Sequence, residues 1–347
     1  MFKTLSLKRL ETIEHMSNTL VVYGTRPEYL KVKPLLKDNP SLHSLFIKQH
    51  VDIINFGKPT HCVKLDNTCD NRLNSIFQQI ILKSEKILSN YKNIIIQGDT
   101  ATVAATALAA YNLKKNIFYI ESGLRSFDLE NPYPEEAYRQ MVSRIATVNF
   151  CPTNLSSENL KNENVLGDVF VTGNTALDNL IDYKKDAFYG KDILITLHRN
   201  ENLQLLEEWL EKIDQIAKKH IRNQFIYPIH PNPIIKKAAN NLKNIVKVDA
   251  MEHDDFLNIL KGCAAVITDS GGIQEEGSFL GKKIIVCRKT TERPEGIDSG
   301  HIFMCPQPSD LPKIFETVIR DSTINSPCPY GDGTAANKIN SILDSYE

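Results

Sequence analysis

The sequence has no run of about 18 apolar residues, so it offers no membrane-spanning helix. It also lacks any block of like charge. The Lys+Arg count of 41 against an Asp+Glu count of 42 leaves a formal net charge of −1. That balance carries no electrostatic footprint of a nucleic-acid or membrane-surface binder. The seven cysteines are Cys62, Cys69, Cys151, Cys263, Cys287, Cys305 and Cys328. They are odd in number and hold no CxxC pair, which points to free thiols in a reducing, cytoplasmic setting. His61, Cys62 and Cys69 fit no common zinc spacing, so no metal is expected. A Walker loop and a G-x-G-x-x-G in the first strand-to-helix turn are both missing, which weakens ATPase and dehydrogenase readings. No G-x-S-x-G surrounds Ser270. The first 17 residues lack the apolar core of a secretory signal.

What is present is enough apolar material for two cores: 347 residues, 41% hydrophobic and 24% charged. Short apolar runs alternate with helical spacing. Thr19–Tyr23, Leu45–Ile47, Asn93–Gln97, Ile117–Ile120, Val148–Cys151 and Val169–Thr172 read as strands. After Gly173-Asn174-Thr175 the series restarts with Ile193–Thr196, Phe225–Tyr227, Ile245–Val248, Val266–Ile267 and Ile284–Val286. Tyr29–Leu36, Asn74–Ser89, Thr102–Tyr111, Ala137–Thr147, Leu203–Lys219, Phe256–Lys261, Glu275–Leu280, Leu311–Arg320 and Ala335–Tyr346 read as helices, and Met1–His15 as either a short amphipathic helix or a frayed extension. Continuous apolar strands between helices mean parallel sheets covered on both faces. The pattern predicts an α/β protein of two doubly wound, Rossmann-type domains.

In such sheets ligands bind beyond the C-terminal ends of the strands. Polar clusters stand there: Thr25-Arg26, Asp99-Thr100, Glu121, His198-Arg199 and Asp269-Ser270-Gly271-Gly272. One site between the domains is the simplest consequence. The stretch from Ala264 to Gly277 reads as strand, glycine turn and helix start, which can present backbone N–H groups to an anion. Arg26 and Arg293 are candidate phosphate partners, with surface arginine as the alternative. Asp99, Glu121, Glu135 and Glu136 are candidate acids and bases. Asp99 also suits a helix N-cap, and Glu135-Glu136 a dipole-favoured first turn. His198 suits a leaving phosphate or a structural role, and His230 lies in a proline-shaped loop.

Taken together, these segments resemble the non-hydrolysing UDP-N-acetylglucosamine 2-epimerases. The strongest pieces are Gly24-Thr25-Arg26-Pro27-Glu28 and Gln97-Gly98-Asp99-Thr100. Glu121-Ser122-Gly123-Leu124-Arg125-Ser126 and Pro132-Tyr133-Pro134-Glu135-Glu136-Ala137-Tyr138-Arg139 follow. Val171–Thr175, His198–Asn202, the 264–277 stretch, Thr290–Glu295 and Pro329–Gly333 complete the series in family order. The resemblance implies a GT-B-like pair of domains with the active site in the cleft. It partitions the chain into an extension (1–17), an N-terminal domain (18–173), a UDP-binding domain (174–328) and a C-terminal helix (329–347) that returns to the first domain. It implies a cytoplasmic homodimer acting on a UDP-sugar, with no cofactor.

The implied reaction interconverts UDP-N-acetylglucosamine and UDP-N-acetylmannosamine through a bound 2-acetamidoglucal. Carried over by motif, Arg26, His198 and the Ser270-Gly271-Gly272 amides hold the diphosphate, and Lys31 is a further substrate- or UDP-binding residue. Glu276 holds ribose, and Arg139 and Arg293 lie along the nucleotide or sugar. Asp99, Glu121 and Glu135 transfer protons, with His198 beside them. The sequence departs from the family at Ser122, Leu197 and Asn200, and around Gln49-His50-Val51-Asp52, where a segment tied to activation by substrate is shortened. A hydrolysing relative, a 2-epimerase of a modified UDP-sugar and a non-catalytic nucleotide-sugar binder are the alternatives.

Overall fold

The structure is a computed structural model and describes residues 18–48, 58–66, 71–199, 202–320, 324 and 326–346. The extension to Ser17, the shortened segment from Gln49 to Asp52, Cys69, and Asn200-Glu201 lie outside the described residues.

Two parallel sheets carry the fold. The first contains β1 (Thr19–Tyr23), β2 (His43–Lys48), β3 (His61–Lys64), β4 (Asn93–Gln97), β5 (Asn116–Ile120), β6 (Val148–Cys151) and β7 (Asp168–Val171). Its order is β3-β2-β1-β4-β5-β6-β7. The second contains β8 (Ile193–Thr196), β9 (Phe225–Pro228), β10 (Val246–Val248), β11 (Ala265–Thr268), β12 (Lys283–Val286) and β13 (Ile302–Met304), in the order β10-β9-β8-β11-β12-β13. The central strands β1, β4, β8, β11 and β12 are buried along their whole length, as apolar strands with helices on both faces must be.

Each sheet reverses its winding once, between β1 and β4 and between β8 and β11. At those two points the flanking connections leave in opposite directions and open a crevice at the strand ends. The loops there are Gly24-Thr25-Arg26, Gly98-Asp99, Leu197-His198 and Asp269-Ser270, the polar clusters picked out by sequence.

Some elements differ from expectation. The strand His61–Lys64 was not anticipated, because as an edge strand it exposes polar residues. The three-residue Ile302–Met304 and the helices Asn154–Asn162 and Pro233–Ala239 were also missed. The first helix begins at Arg26 rather than Tyr29, through a capping box. Thr25 Oγ1 accepts the Glu28 N–H at 3.4 Å, and Glu28 Oε2 accepts from the Gly24 and Thr25 N–H groups at 2.6 and 3.1 Å. The helix expected from Glu275 begins at Gly271. Two glycines read as a turn by propensity, yet packing makes them the first turn of the helix.

The last helix, Ala335–Leu343, lies on the first sheet. Ala336, Ile339 and Leu343 join a core with Val21, Tyr23, Phe118, Ile120 and Phe150. Asp178, from the segment linking the sheets, accepts the Ala335 and Ala336 N–H groups at 3.3 and 2.8 Å and caps that helix.

Candidate active site

A cavity of about 730 Å³ opens between the two sheets at their switch points. Asp99, Glu121, Glu135, Arg26, Lys31 and Arg139 line it from the first domain. His198, Ser270, Gly271, Gly272, Glu276 and Arg293 line it from the second. Every residue carried over from the sequence motifs therefore meets in one place, although they span most of the chain. Glu136 does not face the cavity: it is fully buried and accepts the Ser126 and Phe127 N–H groups at 3.0 and 3.3 Å and the Arg139 guanidinium at 2.8 Å.

The three carboxylates on the first wall differ in support. Asp99 follows β4 and accepts from Arg139 Nη1 at 3.1 Å. Although a third of its side chain remains open, it lies deep in the cleft. Burial there raises its pKa above the ordinary carboxylate value, against the pull of Arg139 and with the push of Glu121 and Glu135. Glu121 directly follows β5 at φ +65°, a conformation rare for a residue with a side chain. Lys31 Nζ donates to both its oxygens, at 2.6 and 2.5 Å, and Gln97 Nε2 donates to Oε2. Glu135 opens the helix Glu135–Ile145, and its Oε2 is buried without a partner among the described residues.

The second wall is organised by Asp269, which is fully buried beyond β11. Its carboxylate accepts the His198 N–H at 3.1 Å, the Arg199 N–H at 3.0 Å and Asn202 Nδ2 at 3.0 Å. One side chain thus ties the ends of β8 and β11 together and holds the His198 backbone. The His198 ring stacks on His230, with centroids 5.6 Å apart and planes 11° from parallel. Burial, with His230 and Arg199, lowers the His198 pKa despite Asp269.

The helix Gly271–Phe279 aims its N-terminus at the cavity, and no side chain caps it. Its first-turn N–H groups and dipole suit an anion. The two glycines have different reasons to be glycine. A Cβ at Gly271 would lie 2.8 Å from Arg293 Nη1, whereas a Cβ at Gly272 would meet nothing within 4 Å. The first makes room for the guanidinium and the second leaves space for a ligand. Arg293 is not free, contrary to a simple phosphate-arm reading. It is ion-paired to Glu275 at 2.7 Å and Glu292 at 2.9 Å. Burial works against its charge, but those carboxylates outweigh it and raise its pKa. Arg26, half exposed, pairs with Glu252 of the other domain at 3.1 Å, across the cleft.

Glu276 stands below the helix start with Oε2 buried and unpartnered among the described residues, and Oε1 3.5 Å from His253 Nε2. Burial and then Glu275 push its pKa up to about 8, against Lys31. A carboxyl group with an unpartnered oxygen at a cavity wall suits the hydroxyl donors of a sugar. The sequence reading missed Glu292, His253 and the apolar group Met251, Ile229 and Phe256, all of which line the cavity. They lie in loops or at the exposed start of a helix, where no periodicity singles them out.

Two Rossmann-type domains sharing one crevice at their switch points make this a GT-B-like α/β protein. The family model described as UDP-N-acetylglucosamine 2-epimerase matches residues 41–344. A UDP-N-acetylglucosamine 2-epimerase of Campylobacter jejuni is 32% identical, over 93% of this chain and 96% of that one. S. aureus MnaA in complex with UDP superposes with a TM-score of 0.84 at 30% identity, covering 95% of this chain and 97% of that one. The UDP-GlcNAc 2-epimerase from Neisseria meningitidis bound to UDP-GlcNAc gives 0.82 at 30% identity, with 94% and 99% covered. The chain belongs to the UDP-N-acetylglucosamine 2-epimerase family.

Proposed function

We propose that this protein is an isomerase that interconverts UDP-N-acetylglucosamine and UDP-N-acetylmannosamine without hydrolysing them. The observation that carries the reading is the division of the cavity. Three carboxylates occupy one wall, and an uncapped helix N-terminus with His198 nearby occupies the other, with Arg26 reaching across from the first. The relatives named for this reaction, and the UDP and UDP-GlcNAc complexes of similar structures, support it.

The chemistry needs both walls. The C2 proton of the intact sugar is not acidic. When the C1–O bond breaks with its electron pair on UDP, C1 becomes oxocarbenium-like and the C2–H bond is weakened. A carboxylate then takes the proton, leaving 2-acetamidoglucal. Return of a proton to the opposite face of C2 and of UDP to C1 gives the epimer. Asp99, Glu121 and Glu135 are the proton-transfer groups. Arg26, His198 and the amides of Gly271 and Gly272 hold the departing diphosphate, whereas the Ser270 N–H, expected from the sequence to join them, is already donated to Thr268 Oγ1 at 2.9 Å. Glu276 takes the ribose hydroxyls, and Met251 and Phe256 offer an apolar seat for the base. Lys31, Arg139 and Arg293 set the charge around these groups.

A cytoplasmic homodimer belongs to the same proposal. Leu82, Tyr111 and Met141 support it, standing 66%, 56% and 53% exposed on three neighbouring helices of the first domain. Light scattering at micromolar concentration tests it, and a monomer mass refutes it.

The activity is tested by incubation with UDP-N-acetylglucosamine in D₂O, followed by proton NMR. The expected product is UDP-N-acetylmannosamine carrying deuterium at C2. Free N-acetylmannosamine with UDP would replace this reading by the hydrolase. No exchange despite binding would replace it by a non-catalytic binder or by another UDP-sugar.

A further inference from the structure

Gln97 ends β4, immediately before Gly98-Asp99, and is 1% exposed. The chemistry above assigns it nothing. Its Nε2 donates to Glu121 Oε2, the oxygen that Lys31 Nζ reaches at 2.5 Å. Its own Oε1 is buried with no partner among the described residues. A buried amide with an orphan acceptor is unfavourable, and an apolar side chain of similar size would avoid the penalty. Among the described residues, the only interaction that recommends an amide here is that of its donor end.

Glu121 needs such a donor. Its backbone at φ +65° breaks from the strand, so the strand does not dictate where the carboxylate points. Lys31 grips both oxygens but sits on a flexible four-carbon stem. Gln97 instead stands in the paired part of the sheet, opposite Ile120 in the β4–β5 register. Its amide has one sensible orientation, since turned over it would face Oε2 with an acceptor. Oε2 is thereby occupied by two donors, while Oε1 receives only Lys31 among the described residues and keeps lone-pair capacity, in a side chain that lines the cavity.

We propose that Gln97 is a positioning residue for proton transfer, pinning Oε2 of Glu121 so that Oε1 is the oxygen presented to C2 of the sugar. This rests on Glu121 handling the C2 proton. The proton passes from C2 to Oε1 and Gln97 exchanges nothing.

The test uses Gln97→Met, which keeps the volume without the donor, and Gln97→Glu, which replaces the donor by an acceptor. Calorimetric UDP affinity and KM are expected within about twofold of wild type in Gln97→Met. Its kcat and its rate of C2 deuterium exchange should both fall about tenfold or more, and further in Gln97→Glu. Wild-type kcat and exchange in Gln97→Met would overturn the proposal. So would UDP affinity falling in step with kcat in both variants, the mark of a purely structural residue. Glu121→Gln separates the two claims. If it exchanges C2 as fast as wild type, the role of Glu121 itself is wrong. If it is inactive while Gln97→Met is normal, only the role of Gln97 is wrong.

Discussion

The two walls of the cleft solve different problems. On the first-domain wall, Asp99, Glu121 and Glu135 meet Lys31, Arg139 and the Gln97 amide, with one residue held at positive φ. On the second-domain wall, a helix terminus supplies fixed partial charge, and Asp269 gathers loops without itself facing the cavity. Groups that must gain and lose a proton need tuned partners and tolerate backbone strain. Groups that hold a diphosphate need constant charge and open space, which backbone amides and glycine supply.

This contrast can be broken by substitution. The largest effect is expected for Asp99→Asn, which should lower C2 exchange by about 10³-fold or more while UDP affinity stays within about twofold. Full exchange in that variant would take Asp99 out of the chemistry. Next comes Asp269→Ala, which strands the buried donors of His198, Arg199 and Asn202. A loss of about 3 kcal/mol in stability is expected, read from urea unfolding, with UDP affinity falling alongside. A variant as stable as wild type would show that the loops need no such tie.

The glycines give a paired test. Gly271→Ala should weaken UDP binding about tenfold and destabilise the protein, because the new methyl group meets a buried guanidinium that cannot easily move. Gly272→Ala should leave stability unchanged or raise it by about 0.5–1 kcal/mol, since alanine is the better helix former, while still weakening UDP. Equal stability changes at the two positions would contradict the division of labour.

A smaller effect is expected from pH. The folded-state pKa of Glu276 is raised to about 8 from 4.5, so between these values the folded state binds a proton that the unfolded state releases. Stability of the ligand-free protein should therefore fall as pH rises from about 4.5 through 8, and Glu276→Gln should flatten that limb in melting curves. An unchanged slope would argue that Glu276 ionises normally. The smallest effect belongs to Glu252→Gln. Removing this exposed partner of Arg26 should change stability by less than about 1 kcal/mol. A larger loss would mean that the ion pair across the cleft holds the domains together.

Much of this was legible in the chain. Buried parallel strands such as Ile94-Ile95-Ile96 announce themselves by composition, and strand-end polar residues follow from the topology they imply. The edge strand His61–Lys64 and the short helix Pro233–Ala239 were not legible, since both carry little periodic signal. Arg293 and Arg26 looked alike as motif arginines. One proved buried between two glutamates and the other exposed against Glu252, a difference set by neighbours far away in sequence. The roles of Asp269 and Gln97 were hidden for the same reason.

By itself, the sequence determined the α/β class, the double series of strands and the family motifs, because periodicity and local spacing are properties of the chain. Only the tertiary structure decided which carboxylate is paired, which is strained and which is left open. It also decided that one glycine yields to a guanidinium while its neighbour faces open space. Those outcomes depend on burial and on partners up to 226 residues apart, as with Arg26 and Glu252, and charges that distant in sequence interact only once folding brings them together.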